Sequence, residues 1–369
     1  VAASVVLAVA LTRPAPLTIR NVRIPVVDGP RGNQHVVLDA SYFLPPGGGK
    51  VPAVLLAHGF GETKDDVRPQ AEDLARAGFA VLTWSARGFG TSTGQIGLDS
   101  PDYEVKDVEQ LVTWLARQPR VLLDHPGDPR VGITGASYGG GISLLATAYD
   151  HRIDAVVAQS TWNNLATALF PNGAGGGPAH GVFKRQWAGL LFTQGSVGFG
   201  ATAQGGAPGP GQGGGAGQVL PPGAARRSAL CGRFQPQICA IYQQVAATGR
   251  PTPQAISLLL RSSPASVAGR MRAPTLLIQG ENDSLFGLDQ ADANYRALRR
   301  NGAPVDMVWF AGGHDGGDQE TARVESLTTQ WLRRWLEPGH PPASAGPGQP
   351  GFAVTRVLGF DPSSDQESL

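Results

Sequence analysis

The segment RVGITGASYGGGISLLATAY, residues 130–149, decides the fold. It begins with Arg130–Thr134, an apolar run that is typical of a buried strand, and it ends in the apolar helical stretch Gly139–Tyr149. Between them, Gly135-Ala136-Ser137-Tyr138-Gly139 places a glycine two positions before and two positions after a serine. This G-x-S-x-G pattern between a strand and a helix is typical of a nucleophile elbow, a sharp turn that exposes the serine hydroxyl. We therefore predict that Ser137 is a catalytic nucleophile.

A nucleophilic serine needs a base and an acid that orients the base. The predicted strand Val305–Phe310 is followed by a glycine-flanked histidine, His314, and the predicted strand Thr275–Gln279 is followed by Asp283. The chain order serine, aspartate, histidine is the order that accompanies this kind of elbow. We predict that His314 is the base and that Asp283 orients it.

Other acidic residues close to these positions are alternatives. Glu281 and Asp289 could replace Asp283 as the orienting acid. Asp315 and Asp318 share a loop with His314, and we expect them to contact solvent or the lid instead.

Two backbone amides are candidates for an oxyanion hole, the pair of donors that stabilises a tetrahedral intermediate. One is the amide of Tyr138, directly after the nucleophile. The other is the amide of Phe60, in the loop His58-Gly59-Phe60-Gly61 that follows the predicted strand Val51–Ala57. His58 is expected to be a structural residue of that turn.

Strand and helix patterns alternate along the chain, which predicts an α/β fold with a mostly parallel central sheet flanked by helices. One of the predicted helices begins at Ser100-Pro101-Asp102. The alternation of strands and helices is interrupted once, by an inserted helical lid with helical stretches at Phe183–Phe192 and Ile238–Leu260. The predicted divisions are a residual signal or anchor segment over 1–13, a core over 14–160 and 269–338, a lid over 161–268 with a flexible Gly-rich loop at 195–217, and a Pro/Gly/Ser-rich tail over 339–369 with one possible strand at Phe352–Val357.

Charge is unevenly distributed. The 369 residues carry 30 Lys and Arg against 29 Asp and Glu, so no overall basic field favours a nucleic-acid partner. Between Ala155 and Gly280 there is no acidic residue, and all charged side chains of this stretch are Lys or Arg. A cationic lid either docks on the acidic remainder of the chain or faces an anionic substrate or an envelope surface.

The two cysteines and the first residues bear on location. Cys231 and Cys239 are too few for a four-thiolate metal site, and we expect no metal and no cofactor. They could form a disulfide if the compartment is oxidising.

Val1–Leu11 is apolar but too short to span a bilayer, which favours a signal or anchor remnant and an extracytoplasmic, secreted or membrane-anchored protein. The alternative is a buried first strand in a cytoplasmic protein.

The strand order, the elbow and the His58–Gly61 loop resemble the alpha/beta-hydrolase superfamily over roughly Ile19–Leu336. Within it, Ser137–Gly140, the segment Ser85–Ser92 and the insertion after Ser160 resemble the X-prolyl dipeptidyl peptidases and the cocaine-esterase-type serine hydrolases. The resemblance implies a Ser-His-Asp hydrolase with a helical lid that acts through an acyl-enzyme.

Two departures from that subgroup favour carboxylic esters over dipeptides as substrates. The resemblance implies a tyrosine hydroxyl in the oxyanion hole where this chain has Phe60, and it implies lid carboxylates for a substrate ammonium group where this lid has none. An X-prolyl dipeptidyl peptidase or another serine exopeptidase is the alternative, and a non-catalytic envelope-binding module is the alternative from another class.

An acyl pocket could be lined by Trp162, Phe170 and Trp187, with Phe192, or these residues could be part of the lid core.

Overall fold

A nine-stranded sheet runs through the part of the chain that the computed structural model describes, namely residues 15–172, 175–197, 231–337, 351–356, 359–361 and 366–368. The first strand of the sheet runs antiparallel to the second, the second antiparallel to the third, and all remaining neighbours are parallel. Across the sheet, the strands are β1 (Thr18–Asp28), β2 (Gln34–Leu44), β4 (Ala80–Trp84), β3 (Ala53–Ala57), β7 (Val131–Ala136), β8 (Ile153–Gln159), β9 (Thr275–Gly280), β10 (Val305–Phe310) and β11 (Phe352–Val354).

Two short antiparallel pairs accompany the sheet, β5 (Leu123–His125) with β6 (Asp128–Pro129) and β12 (Gly359–Asp361) with β13 (Gln366–Ser368). The helices, in chain order, are α1 (Arg68–Arg76), α2 (Glu104–Ala116), α3 (Tyr138–Thr147), α4 (Leu165–Leu169), α5 (Arg185–Val197), α6 (Pro236–Thr248), α7 (Pro253–Arg261), α8 (Leu288–Arg300) and α9 (Thr321–Leu336). None of the helices in the described ranges is long and apolar enough to cross a bilayer.

Helices cover both faces of the sheet, which explains why its central strands are continuous apolar runs. Strand β3 is buried at every position. Helices α1 and α9 pack on one face, and α2, α3 and α8 pack on the other. The predicted α/β-hydrolase fold, with a mostly parallel sheet between helices, is confirmed.

Parallel pairing aligns the carboxyl ends of four strands. Ala57 at the end of β3 pairs with Gly135 near the end of β7, and Gly280 at the end of β9 pairs with Phe310 at the end of β10. The loops that follow these strands therefore meet at one edge of the sheet, and those loops carry every predicted catalytic and oxyanion-hole residue.

Two predicted helices differ from the observed ones. The helix predicted to open at Ser100 begins at Glu104, because the Glu104 carboxylate accepts the N–H of Ser100 at 2.9 Å and holds residues 100–103 in a turn. The single helical stretch predicted over Ile238–Leu260 is two helices, α6 and α7. Helix α6 ends at Thr248, because the next residue, Gly249, has a left-handed φ of 69° and two prolines follow within four residues.

Other differences are smaller. The antiparallel edge strands β1 and β2 have no counterpart among the predicted elements, although β2 buries alternate residues at its start, as one-sided strands do. Helix α5 continues to Val197 and so includes the first residues of the predicted loop at 195–217. The rest of that loop, the segment 1–13 and most of the tail lie outside the described residues, and the predicted strand at Phe352–Val357 is observed over Phe352–Val354.

Candidate active site

The nucleophile elbow is built by close contact between β3 and the turn after β7. Ser137 has φ 54° and ψ −115°, a strained conformation for a residue with a side chain, and its N–H donates to the Gln159 oxygen at 2.9 Å. A Cβ on Gly135 would lie 2.7 Å from the Ala57 carbonyl oxygen, and one on Gly139 would lie 2.5 Å from it. Only glycine fits on either side of the turn, so the spacing of the two glycines follows from the packing.

The structure brings the three predicted triad residues together. His314 Nε2 lies 2.9 Å from Ser137 Oγ, and His314 Nδ1 lies 2.7 Å from Asp283 Oδ2. The Asp283 side chain is fully buried, whereas 18% of the His314 side chain remains exposed. Because both ring nitrogens of His314 are occupied by these two partners, the alternative acids have no place beside it.

Two backbone N–H groups and one side-chain amide position the Asp283 carboxylate. Its Oδ1 accepts the N–H groups of Leu285 at 3.1 Å and Phe286 at 2.7 Å. Its Oδ2 accepts from Gln279 Nε2 at 3.3 Å, and the same amide donates to the Phe286 oxygen at 2.7 Å. Sequence reasoning missed Gln279, and the available signal was a polar residue at the end of the otherwise apolar strand β9.

The remaining acids predicted near the triad have other partners. Asp289 Oδ2 accepts from Gln290 Nε2 at 2.8 Å, and Asp318 Oδ1 accepts the Glu320 N–H at 2.9 Å. Asp315, which was expected to contact solvent or the lid, contacts Ser284 in the loop that carries Asp283.

Phe60 and Tyr138 lie side by side next to the nucleophile, with ring centroids 5.3 Å apart. Among the described residues, no acceptor takes the backbone N–H of either one. His58 shapes the Phe60 loop: its Nδ1 donates to the Gly59 oxygen at 2.7 Å, and its Nε2 accepts the Ala86 N–H at 2.9 Å. Burial lowers the pKa of His58 to about 4, so the ring is neutral and suits a structural role.

Behind Tyr138 lies a buried group of acids that the sequence did not suggest. The Tyr138 hydroxyl donates to Glu104 Oε1 at 3.3 Å and accepts the Asp99 N–H at 3.1 Å. Burial raises the pKa of Glu104, and it raises the pKa of Asp99 well above its usual range. These contacts anchor Tyr138, the residue directly after the nucleophile.

The lid reaches the loop of the triad residue Asp283 through Lys184, in the turn before α5, and through Trp187 of α5. Lys184 Nζ donates to the carbonyl oxygens of Ser284 and Leu285 at 2.5 and 2.9 Å, and burial lowers its pKa. Trp187 Nε1 donates to Ser284 Oγ at 3.0 Å, and its ring lies edge-on to His314, with centroids 5.9 Å apart. Trp187, predicted to line a pocket, therefore flanks the histidine instead.

An apolar cavity of about 130 Å³ lies beneath the lid, and Ser137 forms part of its wall. Phe60 and Tyr138 line it beside the nucleophile, and Trp162 and Phe170 line it farther along, as the sequence suggested. Most of the remaining wall comes from α5, α6 and α7.

Stacked aromatic rings form part of the cavity wall. Phe234 stacks on Phe60 at 5.9 Å and on Phe192 at 4.9 Å, and Phe192 stacks on Tyr242 at 3.8 Å. Phe234 lies within the loop that the disulfide Cys231–Cys239 closes, and the Phe234 backbone pairs with Ile96 of the core.

Several lid cations contact the body of the protein. The Arg233 guanidinium donates to the Gly88 oxygen, and Arg261 pairs with Asp102. Arg233 and Lys184 thus contact backbone carbonyl oxygens of the core, and Arg261 contacts a carboxylate.

The chain matches the family described as X-Pro dipeptidyl-peptidase (S15 family) over residues 31–316, and it belongs to that family. It is therefore a serine hydrolase with the α/β-hydrolase fold.

Curated relatives match only a segment of this chain. An uncharacterized 31.7 kDa protein of Escherichia coli is 32% identical over 120 residues, which is 32% of this chain and 40% of that protein. The quorum-quenching protein AidA of Acinetobacter baumannii is 36% identical over 110 residues, 29% of this chain and 34% of that protein. The thiohydrolase aneE of Aspergillus aculeatus is 31% identical over 110 residues, 29% of this chain and 33% of that protein. The match thus spans no more than two fifths of these relatives.

Solved structures share the fold at low sequence identity. The Pyrococcus horikoshii acylaminoacyl peptidase superposes with a TM-score of 0.54 at 16% identity, over 87% of this chain and 42% of that one. The Pyrococcus furiosus esterase Pf2001 superposes with a TM-score of 0.51 at 16% identity, over 86% of this chain and 91% of that one. Both likenesses concern the fold.

Proposed function

We propose that this protein hydrolyses carboxylic esters through an acyl-enzyme, with Ser137 as nucleophile, His314 as general base and acid, and Asp283 as the acid that orients the imidazole. The observation that carries the proposal is the continuous relay from Asp283 through His314 to Ser137, with heavy-atom distances of 2.7 and 2.9 Å. Distances of this length are within hydrogen-bond reach for proton transfer.

The proposed chemistry has two half-reactions. Ser137 Oγ attacks the ester carbonyl while His314 Nε2 takes its proton, and the tetrahedral intermediate collapses when His314 returns that proton to the leaving alcohol. Water, activated by the same nitrogen, then releases the acid. The amides of Phe60 and Tyr138 stabilise the oxyanion in both steps, and one such donor is typically worth about 2.7–4 kcal/mol of barrier.

Esters are favoured over dipeptides by the charge of the lid. An X-Pro dipeptide forms the acyl part of its substrate and carries a free ammonium group, which costs several kcal/mol to bury without a partner. No acidic residue occurs between Ala155 and Gly280, the stretch that includes the lid. The family description keeps X-Pro dipeptides as the second candidate substrate.

Two measurements test the proposal. A fluorophosphonate probe is expected to label the wild-type protein and Ser326→Ala, which changes an exposed serine on α9, but not Ser137→Ala. Turnover of p-nitrophenyl esters is then compared with turnover of X-Pro-anilides. Labelling that survives Ser137→Ala would contradict the triad, and faster turnover of the anilides would make the peptidase the better assignment.

We also propose an extracytoplasmic location. The Cys231–Cys239 disulfide supports this location, because structural disulfides persist mainly in oxidising compartments. Cell fractionation followed by thiol labelling without reductant tests it, and free thiols in protein taken directly from cells would count against it.

A further inference from the structure

We propose that the acyl group accepted by this site is an uncharged hydrocarbon of about six carbon atoms, which lies in the cavity between Ser137 and the lid helices. This inference rests on the proposed ester hydrolysis and adds the identity of the acyl group.

The size of the cavity sets the length of the acyl group. Its volume is about 130 Å³. An apolar protein cavity of about 150 Å³ stays free of water and binds benzene, a six-carbon ligand. A hexanoyl chain is of comparable volume, and a dodecanoyl chain is about twice as long.

The position of the cavity assigns it to the acyl side of the ester. Ser137, Phe60 and Tyr138 line it, so an ester carbonyl carbon bound to Ser137 and the two residues that carry the proposed oxyanion donors border the cavity. The leaving alcohol must lie beside His314, which protonates it. Among the described residues, neither His314 nor its neighbour Trp187 belongs to the cavity wall. The alcohol therefore leaves on the side of these two rings, and the acyl chain occupies the cavity.

The chemistry of the wall excludes charged acyl groups. Two of the lining side chains direct their polar atoms to partners that do not line the cavity. Trp162 Nε1 donates to the Ser262 oxygen at 2.8 Å, and the Tyr138 hydroxyl contacts Glu104 and Asp99. Ser137 and Tyr242 also line the cavity and carry hydroxyl groups, and the other lining side chains are hydrocarbon, including the stacked rings of Phe234 and Phe192. A charge placed there loses its hydration without gaining a partner.

Helix α7 offers residues that tune the length. Ala255 is fully buried in the cavity wall, and Leu258 lines the cavity one turn further along the helix. A larger side chain at Ala255 fills the space, and a smaller one at Leu258 enlarges it. Leu260 is on the same helix but is exposed and outside the wall, which makes it a matched control.

The test is a series of p-nitrophenyl esters from acetate to dodecanoate. For the wild-type protein, kcat/KM is expected to rise about fourfold per methylene, the factor for one buried CH₂ group, up to about hexanoate and to fall for dodecanoate. The ester of 6-aminohexanoate, which carries an ammonium group in the same space, is expected to react at least 100-fold more slowly than hexanoate. Ala255→Phe should lower the hexanoate-to-acetate ratio at least tenfold, Leu258→Ala should move the optimum to longer chains, and Leu260→Ala should leave the profile unchanged.

A flat series, a preference for acetate, or equal rates for hexanoate and 6-aminohexanoate would overturn the acyl assignment. If the fluorophosphonate probe labels Ser137 in the same sample, such a result overturns the acyl assignment alone. If neither ester turnover nor labelling occurs, the proposed function fails together with it. The ester series uses the unaltered protein, so the outcome does not depend on the folding of the Ala255 variant.

Discussion

The carboxylate of Asp315 accepts two hydrogen bonds from Ser284, one from its backbone N–H and one from its hydroxyl at 2.8 Å. Ser284 follows Asp283 and Asp315 follows His314, so this pair joins the two loops that hold the orienting acid and the base. Trp187 and Lys184 attach the lid to the same Ser284.

Loss of this pair should impair catalysis more than substrate binding. Asp315→Ala is expected to lower kcat on a short ester about tenfold with little change in KM, because the imidazole is held less firmly against Ser137. Asp318→Ala is the control, because Asp318 is in the same loop but its carboxylate bonds to the Glu320 N–H and not to Ser284. Steady-state kinetics of both variants check this. Equal kinetics for the two variants would show that the Ser284–Asp315 pair does not position the triad.

The elbow should not tolerate a methyl group at Gly139. Gly139→Ala places a Cβ within 2.5 Å of the Ala57 carbonyl oxygen, so β3 or the turn must move. We expect ester hydrolysis to fall at least 100-fold and the melting temperature to drop by several degrees, as for other overpacked cores. Gly269→Ala, where a Cβ meets no atom within 4 Å, should be neutral in both measurements. A fully active Gly139→Ala enzyme would mean that β3 and the turn can separate.

Acid should destabilise the protein partly through His58. Its pKa is about 4 in the folded protein, because it is buried, and near 6.5 when unfolded. The unfolded chain binds more protons between these values, so the stabilisation is present above pH 6.5 and is lost as the pH falls toward 4. The full loss amounts to about 3 kcal/mol.

The free energy of unfolding of His58→Gln should therefore depend less steeply on pH between 7 and 4.5 than that of the wild-type protein. Urea titrations at several pH values measure this. His151→Gln changes an exposed histidine and should retain the wild-type slope. If all three proteins show the same slope, the acid sensitivity arises elsewhere.

The disulfide should stabilise the lid wall that carries Phe234. Replacing Cys231 and Cys239 by serine removes a short closed loop, for which the chain-entropy estimate is about 2–3 kcal/mol. A lower melting temperature is expected, and dithiothreitol should lower that of the wild-type protein while leaving the double variant unaffected. Identical melting curves for oxidised and reduced wild-type protein would contradict this.

The sequence alone determined the parts of the site that depend on local geometry and on strand order. The spacing of Gly135 and Gly139 around Ser137 is needed by the turn itself, so it was readable without the fold. His314 and Asp283 were identifiable because each follows a parallel strand, and the carboxyl ends of such strands meet at one edge. Family membership and the mostly parallel sheet follow from the same pattern.

Tertiary structure alone decided the contacts between segments that are distant in the chain. Lys184 reaches the Ser284 carbonyl across 100 positions, and Phe234 stacks on Phe60 to close the cavity. The Trp187 ring lies beside His314 and not in the pocket. Such contacts depend on how the lid packs on the core, and no local propensity encodes that packing. The sequence therefore indicated which side chains carry the chemistry, and the packing decided which space is left for the substrate.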